Sequence, residues 1–415
     1  MRHHTSNFSS MENAEEFEAS EATMADVVVV GGGVIGLTIA RALVGRNARV
    51  LLIERGEMLG MESSRAAAGM LAPQSEANRA DEFFALACAG REMYPLFAES
   101  LREETGIDIE LEKTGTLYLA FTETDEREIS HRYQWQKGAG LCVEYLTAEE
   151  VRALEPCVSP HVRAALLFPL DVQVENRKLI NALAASLEKS KAQIWIGANV
   201  EALRVADGRT LGVETSRGFV RAPAVVMACG AWTSFIKVKN ASDDHSLESG
   251  GVSSNNDEAS VVAVKPVRGQ ILCFQTREKA ARHVLYSPRG YLVPRLDGRV
   301  LAGSTTEDAG FDKRTTDEGT HAIMAHAQEI APALIDEMQL IDSWAGLRPY
   351  AADEQPIIGA DRDVRGLFYA TGHYRNGILL APITGELIAK MILENIASPL
   401  IEAFTPNRFR CAGVR

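Results

Sequence analysis

The chain has 415 residues, of which 46% are hydrophobic and 24% are charged, and its formal net charge at pH 7 is −13. These values are typical of a globular protein with two or three domains. No apolar run approaches the roughly 18 residues that span a bilayer, so we expect no integral membrane association. The acidic chain has no basic stripe, which argues against a nucleic-acid partner.

Much of the negative charge lies in two segments. Residues 1–25 contain five acids and one arginine, and residues 240–260 contain five acids and no lysine or arginine. Both are poor in apolar residues, so we predict a disordered tail over 1–24 and a disordered acidic insertion over 238–260. The first segment lacks the basic residues of a transit peptide and the apolar core of a secretory signal, which predicts a cytoplasmic protein.

The cysteines are far apart and form no CxxC pair. They are Cys88, Cys142, Cys157, Cys229, Cys273 and Cys411. Such spacing is typical of buried thiols in a reducing compartment, and we expect neither disulfides nor a metal site.

A βαβ unit over residues 26–55 dominates the N-terminal part of the chain. Val27 to Val30 form a β-branched run that predicts a fully buried strand. Glycines with the GxGxxG spacing follow it: Gly31, Gly33 and Gly36. The first permits a tight turn, the second lets backbone approach a pyrophosphate, and the third lets the helix pack on the strand.

The second half of the unit predicts the remaining contacts of a dinucleotide. A helix from about Val34 to Leu43 directs its positive end at the phosphates. A strand from Arg49 to Ile53 ends in Glu54, where an acid that binds a ribose hydroxyl belongs. An ordinary βαβ turn is the alternative, and this stretch does not separate FAD from NAD.

Small residues continue this unit between Met61 and Pro73. They include Ser63, Ser64, Ala67, Ala68 and Gly69. Side chains of this size let the backbone approach a flat ligand closely, although a plain alanine-rich helix start is the alternative.

Further elements follow in chain order. We predict helices over 81–105, 125–137, 177–189 and 322–330, and a short helix opened by the capping box TAEE at 147–150. Strands are predicted over 116–121, 163–168, 193–196, 201–205, 211–214, 218–221, 267–274 and 367–370, with a hairpin over 291–304. The stretch 222–232 is interpreted as a late strand that returns to the cofactor or, alternatively, as an ordinary core strand.

The motifs in order resemble those of the D-amino-acid oxidase superfamily, and within it those of the glycine oxidase family. They are GGGVIG with Glu54, SSRAAAGML, VVMACGAW, YLVPR, GST, WAGLRP and GHYRNGILLAP. The resemblance covers roughly residues 25–396, and its last two motifs are far more specific than the glycine fingerprint.

This resemblance implies a mixed α/β fold, in which a Rossmann-like FAD-binding domain is interleaved with a substrate domain built on a mostly antiparallel sheet. The implied FAD-binding domain comprises 25–110, 158–237 and 345–400, and the substrate domain comprises 111–157 and 261–344. Relatives are often oligomers, so a homo-oligomer is an expectation.

The resemblance also implies FAD as the cofactor. Sarcosine oxidases attach it through a cysteine near the last motif, but no cysteine lies between Cys273 and Cys411, which predicts non-covalent FAD. The implied cofactor-binding residues are Gly31, Gly33, Val34, Ile35, Gly36, Glu54, Arg55, Ser63, Ser64, Ala67, Ala68, Gly69, Met70, Val200, Gly230, Trp232, His373, Arg375, Asn376, Gly377 and Ile378.

The implied reaction is hydride transfer from a small amino acid to flavin, with O2 as the final acceptor; glycine would give glyoxylate, ammonia and hydrogen peroxide. Arg348, in an apolar sequence context, is our candidate for binding the substrate carboxylate, with Tyr291 as a hydrogen-bond donor. The family places Arg375 near the ring and the substrate amine. Alternatives are a structural ion pair of Arg348 with Asp353, a core tyrosine at 291 and a solvent-facing Arg375.

No protein base is needed in this chemistry, so His373 is expected to pack near the flavin. The helix after Gly377 would direct its positive end at the flavin pyrimidine. Thr305 and Thr306 stand where an apolar pocket residue is expected, which leaves the substrate preference open.

Competing functions are a D-amino-acid dehydrogenase that reduces a quinone, a tRNA-modifying FAD oxidoreductase and a non-catalytic flavin-binding protein. The acidic charge counts against the second, and the presence of Arg348 with Tyr291 counts against the third.

Overall fold

A computed structural model describes residues 23–240, 262–276, 279 and 281–409. The disorder predicted for 1–22 and 241–260, together with Cys411, lies outside these residues. The helices are α1 Val34–Val44, α2 Ser63–Ala66, α3 Pro73–Glu76, α4 Glu82–Thr105, α5 Glu123–Gly138, α6 Ala148–Leu154, α7 Asn176–Glu188, α8 Asp317–Ile330, α9 Pro332–Glu337 and α10 Gly377–Leu393, with 3-10 helices at Gly230–Phe235, Pro399–Phe404 and Pro406–Phe409.

The strands of the described residues form four sheets. They are β1 Thr23–Met24, β2 Val27–Val30, β3 Val50–Glu54, β4 Met70–Leu71, β5 Thr116–Ala120, β6 Glu144–Thr147, β7 Ala164–Phe168, β8 Val172–Gln173, β9 Gln193–Ile196, β10 Val200–Ala206, β11 Arg209–Thr215, β12 Gly218–Arg221, β13 Ala224–Met227, β14 Lys237–Asn240, β15 Val264–Gln275, β16 Val284–Tyr286, β17 Tyr291–Pro294, β18 Arg299–Gly303, β19 Gln339–Ala351, β20 Ile357–Ala360 and β21 Leu367–Thr371.

The predicted βαβ unit forms the centre of a six-stranded sheet with the order β20-β21-β13-β2-β3-β9. All pairs are parallel except β20 with β21. Val27 to Val30 are all buried, as a central parallel strand requires. Helices α1 and α10 pack together in the largest apolar cluster of this region. The carboxyl ends of the parallel strands therefore meet the beginnings of both helices.

A second sheet has eight strands in the order β19-β15-β18-β17-β16-β5-β7-β6. Only β16 with β5 is a parallel pair, so the expected mostly antiparallel sheet is confirmed. A five-stranded sheet of β1, β12, β11, β10 and β14 and a two-stranded sheet of β4 and β8 complete the set.

Three predicted boundaries need correction. Strand β7 falls in the range 158–237 assigned to the FAD-binding domain, but it pairs with β5 and β6 in the eight-stranded sheet. Residues assigned to the tail and the insertion also belong to strands, since β1 pairs with β12 and β14 pairs with β10. Long-range pairing decides these memberships, and local sequence carries little signal for it. The division into two domains otherwise stays a prediction.

Local capping corrects one helix and confirms another. Helix α8 begins at Asp317 and not at Ala322, because the Thr316 hydroxyl accepts a hydrogen bond from the Gly319 amide at 3.1 Å. The capping box at Thr147 and Glu150 is present and opens α6 as predicted.

The thiols that the structure describes are all free. Cys273 is buried and Cys88, Cys157 and Cys229 are partly buried, but Cys142 is exposed, so the expectation of uniformly buried thiols is wrong at that residue. Within the described residues, no helix combines the length and the apolarity needed to cross a membrane. In that same part of the chain, no group of three or more histidine, cysteine or acidic side chains is arranged to hold a metal.

The helix α1 rests on the glycine turn through Gly36. A Cβ at Gly36 would lie 1.9 Å from the Gly31 carbonyl oxygen, which is backbone and cannot move aside alone. We predict that Gly36→Ala lowers the free energy of unfolding by about 1–3 kcal/mol, as overpacking does. Chemical denaturation with FAD in excess measures the change.

Gly138→Ala is the matched control. Gly138 is also helical, but a Cβ there would meet nothing within 4 Å. Because alanine is the better helix former, this variant should be neutral or up to about 1 kcal/mol more stable. Equal stability of the two variants would contradict the proposed contact.

Candidate active site

The turn between β2 and α1 forms a cradle for an anion. Gly31 has φ +107°, and a Cβ there would lie 2.5 Å from the Ala228 carbonyl oxygen. Gly33 precedes α1 without a side-chain cap, and the first turn of the helix contains no acid. The Val34 amide donates to the Ser64 hydroxyl at 3.0 Å. Amides at a helix beginning and a nearby hydroxyl are the groups that bind phosphate oxygens.

Glu54 lies at the end of β3 with its carboxylate fixed by backbone. One oxygen accepts the Gly32 amide and the other accepts the Gly56 amide, each at 2.7 Å. Each oxygen retains a lone pair for a further donor, such as a ribose hydroxyl. The neighbouring Arg55 guanidinium lies 4.0 Å from the centre of the Trp232 ring.

A cavity of about 650 Å³ extends from this turn to the beginning of α10. It is within the range of roughly 300–1,000 Å³ usual for ligand and cofactor sites. Its wall contains most of the predicted cofactor-binding residues: Gly31, Gly33, Val34, Ile35, Glu54, Arg55, Ser63, Ser64, Ala67, Val200, Gly230, Trp232, His373, Arg375, Gly377 and Ile378. Gly36 is outside this wall and contributes the contact with Gly31.

The stretch after residue 61 is not a plain alanine-rich helix. Helix α2 ends at Ala66, and Ala67 is extended with φ −67° and ψ 155°. Because the helix ends here, Ala67 lies in the wall of two neighbouring cavities. Sequence alone left a continuous helix open, because alanine is compatible with both conformations.

A second cavity of about 90 Å³ adjoins the first. The two share Ser63, Ala67, Tyr374, Arg375 and Ile378. The remaining predicted cofactor residues, Ala68, Gly69, Met70 and Asn376, line the smaller one, together with Arg348 and Tyr291. The structure therefore brings the predicted substrate residues to the inner end of the predicted cofactor site.

Arg348 carries a charge that no acid neutralises among the described residues. Its Nη1 donates to the Thr305 carbonyl at 3.0 Å and its Nη2 donates to the Ser304 hydroxyl at 2.7 Å. Asp353, the alternative partner, instead pairs with Arg408 at 2.7 Å. The alternative prediction of a structural ion pair between Arg348 and Asp353 is therefore wrong. The Arg348 guanidinium can instead bind an anionic ligand.

Tyr291 presents a neutral phenol to the same cavity. Burial raises the pKa of its hydroxyl, so it stays protonated and can donate a hydrogen bond. Its ring stacks on Tyr286 with centroids 6.2 Å apart. Thr305 is one of the two residues expected in the pocket. Its hydroxyl accepts a hydrogen bond from the Gln270 backbone amide at 2.9 Å and donates one to the Glu307 carboxylate.

The Arg375 side chain is 47% exposed, as the solvent-facing alternative predicts, but its guanidinium also lies 3.5 Å from the Glu76 carboxylate. Glu76 is the principal cause of a raised pKa of Arg375. Among the described residues that line the smaller cavity, Glu76 is the one acid. Sequence reasoning missed Glu76, since nothing in the short PQSE helix α3 indicates that its last side chain reaches a residue 299 positions away.

His373 is buried at the beginning of the α10 region. Its Nε2 lies 3.2 Å from the Thr384 hydroxyl, and desolvation lowers its pKa to about 3. The ring is therefore neutral at ordinary pH, and it lines the larger cavity. Its expected position near the flavin stays a prediction. Further wall residues that sequence reasoning missed are Asn199, Tyr286, Phe235, Phe311 and Tyr374.

The fold and the two adjoining cavities define a dinucleotide-dependent enzyme with a cationic site for a small ligand. A family model described as FAD dependent oxidoreductase matches residues 26–391. The chain therefore belongs to the family of FAD dependent oxidoreductases, and FAD is its cofactor.

Individual relatives show which branch of the family is similar. Glycine oxidase of Geobacillus kaustophilus is 35% identical over 369 residues, which is 88% of this chain and 92% of that protein. Its crystal structure matches with a TM-score of 0.83 at 33% identity, covering 93% of this chain and 99% of that one. The bifunctional protein ThiO/ThiG of Synechocystis is 34% identical, and the match covers 93% of this chain but 54% of that protein.

We predict that Gly269→Ala weakens binding of a small carboxylate such as glycolate by about tenfold or more, because misplacing a binding group by an ångström is costly. A Cβ at Gly269 would lie 2.3 Å from the guanidinium carbon of Arg348, so this group would have to move. The change in flavin absorbance on titration measures affinity. Gly138→Ala, which changes a residue that lines neither cavity, should bind as the wild type does. Unchanged affinity in Gly269→Ala would contradict the placement of Arg348.

Proposed function

We propose that this protein oxidises glycine, with sarcosine and small D-amino acids as further candidate substrates, to an imine that hydrolyses to glyoxylate and ammonia. O2 is the proposed acceptor and hydrogen peroxide is a further product. This oxidation of glycine would supply thiamine thiazole synthesis. The observation that carries the proposal is the guanidinium of Arg348, which has no acidic partner among the described residues and lies in a small cavity that shares wall residues with the cofactor site.

The residues of the larger cavity fit FAD. The amides at the start of α1 and the Ser64 hydroxyl would hold the pyrophosphate, and Glu54 would accept the ribose hydroxyls. The isoalloxazine ring would lie toward the end formed by His373, Arg375 and Gly377. When bound, FAD supplies the hydride acceptor and the subsequent reaction with O2.

The protein binds and orients the substrate. Arg348 would hold the carboxylate through two parallel hydrogen bonds, and the protonated hydroxyl of Tyr291 would donate a further one. The cavity of about 90 Å³ has small residues, Ala66 to Gly69, on one wall and leaves little room for a side chain on the substrate. This size supports glycine and other small amines as substrates.

The remaining residues would stabilise negative charge. They would not transfer protons as a catalytic acid–base pair. His373 is neutral, and Glu76 faces Arg375. Helix α10 begins at Gly377 without an acid in its first turn, so its positive end favours negative charge at this end of the cavity. A neutral amine needs no protein base, since its nitrogen lone pair assists hydride loss.

A peroxide-coupled assay of the purified FAD-loaded protein tests the proposal. Glycine, sarcosine, D-alanine, D-proline and L-amino acids are compared in air, and peroxide should form stoichiometrically with glycine. Turnover with a quinone but not with O2 would identify a dehydrogenase instead. The cytoplasmic location and the homo-oligomer remain predictions, and gel filtration tests the second.

Replacing Arg348 by alanine should raise the KM for glycine by about two orders of magnitude or more, because the substrate carboxylate loses its charged partner. Steady-state kinetics measure it. Arg163→Ala is the control: Arg163 also pairs with a carboxylate, Glu126 at 2.9 Å, but it is outside both cavities. An unchanged KM in Arg348→Ala would overturn the assignment.

We further propose that FAD is held without a covalent bond. Cys229 lines the larger cavity, but burial raises the pKa of its thiol to about 12, so the nucleophilic thiolate is disfavoured. Acid precipitation should therefore leave a colourless pellet and release the flavin into the supernatant. Yellow colour that stays with the pellet would contradict this prediction.

A further inference from the structure

The segment 304–316 connects β18 to α8 and touches both cavities. We call it the strap. It leaves the eight-stranded sheet beside Arg348 and reaches the wall of the larger cavity at two places. The proposed reaction assigns no role to the contacts between the strap and the larger cavity.

The root of the strap is fixed to the substrate site. Ser304 and Thr305 accept the two hydrogen bonds of the Arg348 guanidinium. Two residues on, Glu307 and Arg268 exchange backbone hydrogen bonds of 2.9 and 3.0 Å and also pair through their side chains. The position of the strap is therefore set by the strand pair that carries Arg348.

An aromatic contact joins the strap to the cofactor cavity. The Phe311 ring lies 5.4 Å from Trp232 and 5.2 Å from Phe235, measured between centroids. All three rings line the larger cavity, yet Phe311 is 40% exposed and Phe235 is 62% exposed. Since Arg55, next to Glu54, lies over Trp232, this group of rings is at the adenosine end.

A second contact of the strap is ionic. Lys313 lies 3.0 Å from the carboxylate of Glu62, which also lines the larger cavity. The strap thus touches the 3-10 helix that carries Trp232 and the loop that precedes α2. Arg55 joins the two contacted parts of the wall, since it lies over Trp232 and 3.4 Å from the Glu62 carboxylate. Both contacts therefore fix the strap at the same end of the cavity.

We propose that the strap retains FAD by closing the adenosine end of the cavity through Phe311, and that a carboxylate bound to Arg348 strengthens this retention. The first part requires only the FAD site, and the second rests on the proposed function. A carboxylate on Arg348 would fix the guanidinium that holds Ser304 and Thr305. By linkage, whatever favours the closed strap favours both ligands.

The test of retention is the rate of FAD release. Holoenzyme is diluted, and the rise of free-flavin fluorescence is followed for the wild type, Phe311→Ala, Phe311→Leu and Phe219→Ala. We expect release about tenfold faster in Phe311→Ala, given the usual strength of aromatic contacts and apolar burial. Phe311→Leu should release FAD at an intermediate rate.

Phe219→Ala is the matched control, because Phe219 is 36% exposed on β12 and lines neither cavity. It should release FAD at the wild-type rate. Wild-type release from Phe311→Ala would overturn the retention role, as would equal acceleration in both alanine variants. A second variant, Lys313→Gln, should accelerate release to a smaller extent because its ion pair is exposed.

Glycolate tests the linkage, since it has the carboxylate of glycine and a hydroxyl in place of the amine. Saturating glycolate should slow FAD release from the wild type several-fold and have little effect in Phe311→Ala. Glycolate that perturbs the flavin spectrum without slowing release would overturn the linkage and leave the proposed function standing. If glycolate fails to bind at all, both the substrate assignment and the linkage are wrong, while the result for Phe311 decides retention independently.

Discussion

The site depends on two hydrogen bonds that the Arg348 guanidinium donates. Their acceptors, the Ser304 hydroxyl and the Thr305 carbonyl, are both neutral. Neutral acceptors orient the group without cancelling its charge. Nearby guanidinium groups differ, because Arg268 pairs with Glu307 and Arg375 faces Glu76. Charge is therefore left on Arg348, which lines the smaller cavity, where a substrate carboxylate can use it.

A glycine lets the substrate part of the site pack closely against the cofactor part. At Gly346, a Cβ would lie 2.6 Å from the Ala66 Cβ, so the absence of a side chain lets β19 pack on α2. Helix α2 carries Ser63 and Ser64, which line the cofactor cavity. This contact brings the substrate strand against the phosphate-binding unit. It explains why the two cavities share a wall although their sheets are separate.

The sequence predicted the elements that are determined by residues close together in the chain. The order of strand, glycines, helix and acid from Val27 to Glu54 predicted the unit that forms, and turn and cap residues predicted α6. It was insufficient where distant segments meet. The pairing of β7 in the eight-stranded sheet, the Glu76 contact with Arg375 and the Phe311 contact with Trp232 all depend on tertiary register. Each of these residues has an unremarkable neighbourhood in sequence, so no local pattern identifies it.

Arg348 shows where the two kinds of information meet. Its apolar neighbours in sequence predicted a buried charge, but the same pattern fits a structural ion pair with Asp353 equally well. The difference lies in the register of β19 with β15, which places Arg348 opposite Val267 and near Gly269. On this register Asp353 lies beyond the end of the strand and meets Arg408 from the C-terminal segment. Strand pairing hundreds of residues from the glycine fingerprint thus determines whether this arginine is a structural residue or a ligand-binding one.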